Sequence, residues 1–171
     1  FDGLAAITDP VREEVSAALE RSRRAGVDVK MITGDNVETA RAVARKIGLL
    51  ETPGALVLTS SELGRMSDEE LASALPRLRI LARAKPLDKL RLVQALQARG
   101  EVVAVTGDGT NDAPALKQAD VGLAMGSGTE VAKEASKIVL LDDAFSTIVQ
   151  GILWGRTLYE NIQRFIQFQL T

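Results

Sequence analysis

Two polar turns carry the residues best suited to chemistry: Gly34-Asp35-Asn36 follows the run VDVKMIT, and Gly107-Asp108-Gly109-Thr110-Asn111-Asp112 follows EVVAVT. Strands of a parallel sheet present their C-terminal ends on one edge, and ligands of open α/β sheets bind outside that edge. Both turns are therefore expected to face one crevice. Glycine after each strand lets the backbone approach a ligand, and the free amides where the next helix starts favour an anion such as phosphate. Asp108 and Asp112 add hard oxygen ligands of the kind that hold Mg2+ together with substrate phosphate oxygens. Metal and phosphate are expected to share one site.

Each of these residues also has a plainer use. An Asp or Asn after a strand commonly caps the following helix, and for an isolated TGD at residues 33–35 that use comes first. Asp112 stands where an N-cap would stand before Ala113 and Pro114. Asp108, flanked by two glycines, has no such structural use, so its carboxylate or backbone is assigned to function. Lys89 falls near the first turn of an expected helix, where the macrodipole disfavours a cation, which hints at an anionic partner. Otherwise it is a solvated helix-face lysine. Arg83 ends the preceding strand and either reaches a nucleotide or phosphate from the same crevice edge or sits on its rim as a charge.

The elements that must position these residues follow from hydrophobic periodicity and from Gly and Pro punctuation. Helices are expected over 11–24 (with Asp9-Pro10 as cap and first turn), 36–47, 68–75, 87–97, 113–118 and 145–168. Strands are expected over 27–33, 56–58, 78–82, 101–106, 121–124 and 137–141, with 101–106 read as buried. Short apolar runs alternating with amphipathic stretches are the pattern of βαβ units, so the fold class is α/β with a parallel sheet and flanking helices. Phe145, Ile148, Ile152, Tyr159, Ile162 and Ile166 recur at helical spacing and close the chain with one long helix. No repeat, low-complexity tract or linker marks a second domain.

Composition narrows the chemistry. The 171 residues suffice for one compact core, and a formal charge of -2 with mixed signs argues against a nucleic-acid partner. There is no cysteine and no histidine, so carboxylates, lysine, hydroxyls and backbone must do the work. No apolar run reaches the roughly 20 residues that span a bilayer, and taken alone the segment is expected to be soluble. The first residue is Phe1, from which an excised segment is expected.

Three motifs, TGDN at 33–36, ARAKPLDK at 82–89 and GDGTNDAPAL at 107–116, stand in the order and spacing of P-type cation-transporting ATPases. The chain resembles that family over its whole length, from TDPVR at 8–12, similar to the family's hinge motif, to WGRTLYENIQRFIQFQLT. The resemblance implies a Rossmann-like, haloacid-dehalogenase-type domain over 1–144, the C-terminal part of a phosphorylation domain. A stalk helix over 145–171 would lead toward a transmembrane helix.

It also implies an ATPase that forms an aspartyl phosphate. Asp108 would ligate Mg2+, supported by Asp112, and Lys89 would neutralise charge between phosphate and nucleophile. Thr33 and Gly34 would bind phosphoryl oxygens, while Asp35, Arg83 and Asn111 would hold ATP. Asp9 and Arg12 would serve the hinge to a nucleotide-binding domain. Phosphoryl transfer depends on positioning and charge neutralisation, so a site without histidine is adequate.

The family's DKTGT motif, which bears the nucleophilic aspartate, is absent from the sequence; Asp2, Asp9, Asp28 and Asp68 are not followed by KTGT. The resemblance places it upstream, on a strand at or near the centre of the sheet. The isolated chain is therefore expected to be inactive and its sheet incomplete. LARAKPLDK, MGSGTEVAKEAS, Trp154-Gly155-Arg156 and FIQFQLT resemble the calcium-pumping branch, of plasma-membrane and autoinhibited type. Its nucleotide-binding, actuator and transmembrane domains would be the partners, and the segment would lie on the cytoplasmic face of a membrane. A soluble haloacid-dehalogenase-type phosphatase or a non-catalytic phosphate-binding module are the alternatives, the first requiring a DxD nucleophile motif that the sequence lacks.

Overall fold

The computed structural model describes residues 10–170. Along the chain come α1 (Glu14–Arg24), β1 (Met31–Ile32), α2 (Val37–Lys46), β2 (Leu56–Thr59), α3 (Ser60–Leu63), α4 (Asp68–Ala74), β3 (Leu78–Ala82) and α5 (Pro86–Ala98). There follow β4 (Ala104–Gly107), a 3-10 turn (Thr110–Asp112), α6 (Ala113–Gln118), β5 (Val121–Met125), α7 (Glu130–Ala135), β6 (Ile138–Leu140) and α8 (Phe145–Gln169). All strand pairs among the described residues are parallel, in two three-stranded sheets of order β1-β3-β2 and β4-β5-β6.

β3 is central to the first sheet and covered on both faces, which explains why Ile80, Leu81 and Ala82 are apolar in succession. Ile80 and Ala82 pack with Leu19 of α1 and Ala40 and Ala44 of α2. Leu81, one residue out of phase, turns to the other side and packs with Leu63, Leu71 and Leu92. The crossover helix α5 then reaches the second sheet, with Val93 packed against Val103, Ala115 and Ala119. In that sheet Leu123 and Leu140 close over Ile148, and this anchors the start of α8.

Four differences from the sequence reading have physical causes. β1 is only Met31–Ile32, because pairing to β3 covers two residues of the expected 27–33. α1 begins at Glu14, three residues later than expected, and Pro10 precedes it; Asp9 lies outside the described residues. α3 and α7 were not expected, although Thr59 and Glu62 form the capping box that starts α3 and the Thr129 side chain caps α7. The run 101–106 is not a buried strand: Val102 is 84% exposed, and β4 alternates between exposed and half-buried residues. Among the described residues β4 pairs with β5 alone and β1 with β3 alone, so each leaves its other edge without a described partner, and apolar composition could not reveal that. Both open edges lead directly into the two polar turns. α8 is covered only in its first turns, where Ile148 and Val149 are buried, whereas Trp154 is 71% exposed. No helix among the described residues is long and apolar enough to cross a membrane.

Ile80 is fully buried at the centre of the first sheet. Ile80→Ala is expected to cost about 2–5 kcal/mol by leaving a cavity, whereas Val102→Ala should stay within about 0.5 kcal/mol. Urea unfolding followed by circular dichroism checks the contrast, and equal effects would contradict this packing.

Candidate functional site

The first turn is assembled by backbone. The Thr33 amide donates to the Leu81 carbonyl, Ala84 donates to Thr33, and Arg83 donates to Asp35, each at 2.9 Å. These bonds stitch the end of β1 to the end of β3 and hold Arg83 at φ 52°, a left-handed conformation that costs a residue with a side chain about 1–2 kcal/mol. Asn36 caps α2, its side chain accepting from the Thr39 amide at 2.9 Å. Capping therefore falls to Asn36 and leaves the Asp35 carboxylate exposed, with no partner among the described residues. The Asp35 amide donates to Thr33 Oγ1 at 3.1 Å, which curls the turn.

In the second turn the organising group is Asp112, only 6% exposed. Its Oδ2 accepts from the amides of Asp108 and Gly109, both at 3.2 Å, and its Oδ1 receives Lys89 Nζ at 2.5 Å. Lys89 reaches it from the second turn of α5, whose N-terminus is fixed by Asp88 accepting from the Lys85 amide at 2.8 Å. Gly107 is required here, since a Cβ at that position would lie 2.4 Å from the Cβ of Asp112. Burial works to raise the Asp112 pKa, but the Lys89 ammonium and the two amides outweigh it and hold the carboxyl below the ordinary aspartate value.

Asp108 is the complement of Asp112: exposed, with a carboxylate that has no partner among the described residues. Its carbonyl accepts from Thr129 at 2.8 Å, and Gly128 lies so close that a Cβ there would meet the Asp108 oxygen at 2.9 Å. Thr129 and Gly128 were missed as parts of the site; the paired glycines of MGSGTE were the available signal. Asn111 is exposed on the same loop.

Thr33, Gly34, Asp35 and Arg83 are thus brought together by hydrogen bonds, and so, separately, are Lys89, Asp108 and Asp112. Both oxygens of Asp112 are engaged by Lys89 and the loop. Among the described residues no three acidic side chains converge as a ready metal cage. One open carboxylate, Asp108, fits a hard cation that takes its remaining ligands from phosphate oxygens and water.

Comparison with known proteins bears on what this arrangement does. A haloacid dehalogenase-like hydrolase family model matches residues 1–120. Plasma membrane-type calcium-transporting ATPase 7 of Oryza sativa subsp. japonica is 54% identical over 174 residues, covering 99% of this chain and 17% of that protein. Calcium-transporting ATPase PAT1 of Dictyostelium discoideum is 54% identical over 172 residues, covering 100% of this chain and 15% of that protein. The chain therefore spans about a sixth of the length of these relatives. The crystal structure of a zinc-transporting PIB-type ATPase in its E2.Pi state superposes with a TM-score of 0.69 at 31% identity, over 91% of this chain and 21% of that one.

The lowered pKa of Asp112 sets a sign for acid stability. A carboxyl depressed on folding contributes stability that is complete above its ordinary value of 3.8 and is lost as pH falls through the lower folded value. Lys89→Met at neutral pH is expected to cost about 1.5–3 kcal/mol by leaving a buried carboxylate without its cation. Most of that difference should vanish below the folded pKa of Asp112, where the wild type has lost the pair as well. Urea titrations of both proteins from neutral to acid pH check this, and a pH-independent difference would contradict it.

Proposed function

The chain belongs to the haloacid dehalogenase-like hydrolase family, and from that premise we propose that it is part of an ATP-driven calcium pump that forms an aspartyl-phosphate intermediate. The observation that carries the proposal is the second turn: an open Asp108 carboxylate on a loop whose amides are held by Asp112, with Lys89 at the same point. Likeness to calcium-transporting ATPases over 99–100% of the chain supports calcium as the transported ion.

Mg2+ bound beside Asp108 would neutralise charge on the transferring phosphoryl group. Asp112 serves this site by holding the amides of Asp108 and Gly109, and so fixing the loop from which Asp108 projects. Lys89 has three ammonium protons and spends one on Asp112. The others are available to a phosphoryl oxygen and to an attacking carboxylate, whose mutual repulsion is the main obstacle to phosphoryl transfer. Thr33 and Gly34 offer a hydroxyl and an amide to the phosphoryl oxygens, and Asp35, Arg83 and Asn111 hold the nucleotide.

The nucleophilic aspartate belongs to a DKTGT segment elsewhere in the same polypeptide. Its strand would pair with the open edges of β1 and β4, which lead into the two turns and would carry the nucleophile between them. The nucleotide-binding, actuator and transmembrane domains complete the pump, with residues 145–171 as a stalk from the 1–144 domain toward the membrane on its cytoplasmic side.

In the full-length pump, Lys89→Ala is expected to slow phosphorylation from ATP by about 10²-fold or more while changing nucleotide affinity little, because the charge it neutralises develops in the transition state. Lys89→Arg should not restore the rate, since a planar guanidinium cannot take the position of a compact ammonium. Single-turnover phosphorylation beside equilibrium ATP binding separates these effects, and a normal rate in the alanine variant would remove Lys89 from the site. The isolated chain should form no acid-stable phosphoenzyme, and radiolabelled phosphate retained on it would contradict the assignment of the nucleophile. ATP-dependent uptake of radioactive calcium into vesicles bearing the full protein tests the ion.

A further inference from the structure

Behind the second turn lies a network that the proposed chemistry does not use. Asp143, in the link between β6 and α8, is held at φ 51°. Glycine adopts that conformation freely, whereas aspartate adopts it at a cost that contacts of its side chain can offset. Both carboxylate oxygens of Asp143 accept from the Ser127 amide at 3.3 Å. Its carbonyl accepts from Arg12 Nη1 at 2.9 Å. The hydrogen bonds from Ser127 hold its carboxyl below the usual aspartate range, so the group is an anion at neutral pH.

Ser127 is the middle of a turn that has no room to shift. A Cβ on Gly126 would lie 2.8 Å from the Leu140 oxygen, and one on Gly128 would lie 2.9 Å from the Asp108 oxygen. The Gly126 amide donates to Leu140 at 2.7 Å, and the Thr129 amide donates to Asp108 at 2.8 Å. The turn is thus wedged between the backbone of Asp108 on one side and the segment entering α8 on the other. Next to Asp143, Asp142 fastens the start of α8, accepting from the Ala144 amide at 3.2 Å and Thr147 Oγ1 at 2.5 Å. An unbroken series of contacts runs from the start of α8 to Asp108.

We infer that Asp143 is a positioning residue, which by gripping the Ser127 amide presses the 126–128 turn against Asp108 and fixes where that carboxylate projects. The inference rests on the reading of Asp108 as the metal-holding carboxylate. Asp143 touches neither substrate nor metal; it acts through the turn.

The test uses the full-length pump carrying this chain, with phosphorylation from ATP measured against Mg2+ concentration for Asp143→Gly, Asp143→Asn and Asp108→Asn. Glycine relieves the positive φ and removes the acceptor, so Asp143→Gly should keep or raise the thermal midpoint. It should nevertheless raise the Mg2+ concentration for half-maximal phosphorylation by about tenfold, as loss of an outer support around a metal site does. Asparagine keeps one acceptor oxygen and tolerates the left-handed conformation, so its curve should fall between glycine and wild type. A merely structural Asp143 predicts a wild-type Mg2+ curve for the glycine variant, and that result overturns the inference. Asp108→Asn separates the two readings. If it shifts the curve and Asp143→Gly does not, only the role of Asp143 fails; if it shifts nothing, the metal assignment fails and the inference falls with it. Should the glycine variant not accumulate, the asparagine variant decides, with an unshifted curve counting against the role.

Discussion

The pair formed by Lys89 and Asp112 joins parts of the molecule that no strand connects. Lys89 rides on the crossover helix that leaves the first sheet, and Asp112 closes the loop that ends β4 in the second. Among the described residues the two sheets share no strand pair, so their turns keep a common geometry through α5, through Phe145 at the start of α8, which packs against core residues of both, and through this contact. With side-chain exposures of 23% and 9%, the pair is shielded enough to stay strong. A buried carboxylate left without its cation and amides would be costly, so the loop bearing Asp108 has one arrangement in which Asp112 is satisfied. The fold thereby keeps the Asp112 carboxylate engaged and leaves that of Asp108 free, the arrangement on which the proposed metal and phosphate site relies.

Close backbone approach is the second constraint. Gly107, Gly122 and Gly128 each sit where a Cβ would lie within 3.0 Å of a neighbouring atom: the Asp112 side chain, the Leu116 carbonyl and the Asp108 carbonyl respectively. Such positions transmit displacement because nothing flexible lies between the contacting atoms. The second sheet, α6 and the 126–128 turn are therefore locked around the loop. The first turn is instead held by three backbone hydrogen bonds and one left-handed arginine.

Among the described residues β1 and β4 each leave one edge unpaired, and most of α8 is uncovered. Unpaired strand edges and exposed apolar helix faces are normally blunted in proteins that stand alone. Here Phe165 and Phe168 are exposed on α8, Leu170 is exposed just after it, and Val102 is exposed beside β4. This agrees with a chain that spans about a sixth of the length of its pump relatives.

The sequence by itself determined the fold class, the order of the strands and longer helices and the place of the two turns, because those depend on local pattern, whereas the short helices α3 and α7 went unread. β3 at Leu78–Ala82 and α6 at Ala113–Gln118 fall where the sequence places them, since buried parallel strands and capped helices are written in short apolar runs and in Gly, Pro and Asp punctuation. Asp108 could be singled out from the sequence because two flanking glycines deny it a structural use, and its carboxylate is exposed with no partner among the described residues. Only the tertiary structure decided which aspartate is engaged, since Lys89 and Asp112 are 23 residues apart and no local pattern reports a contact across an interface between a crossover helix and a loop. It alone decided that the apolar run at 101–106 is an open edge, because coverage depends on which strands are neighbours. The link from Asp143 through Ser127 to Asp108 was likewise invisible, because it joins segments 16 residues apart through an amide that every residue but proline possesses.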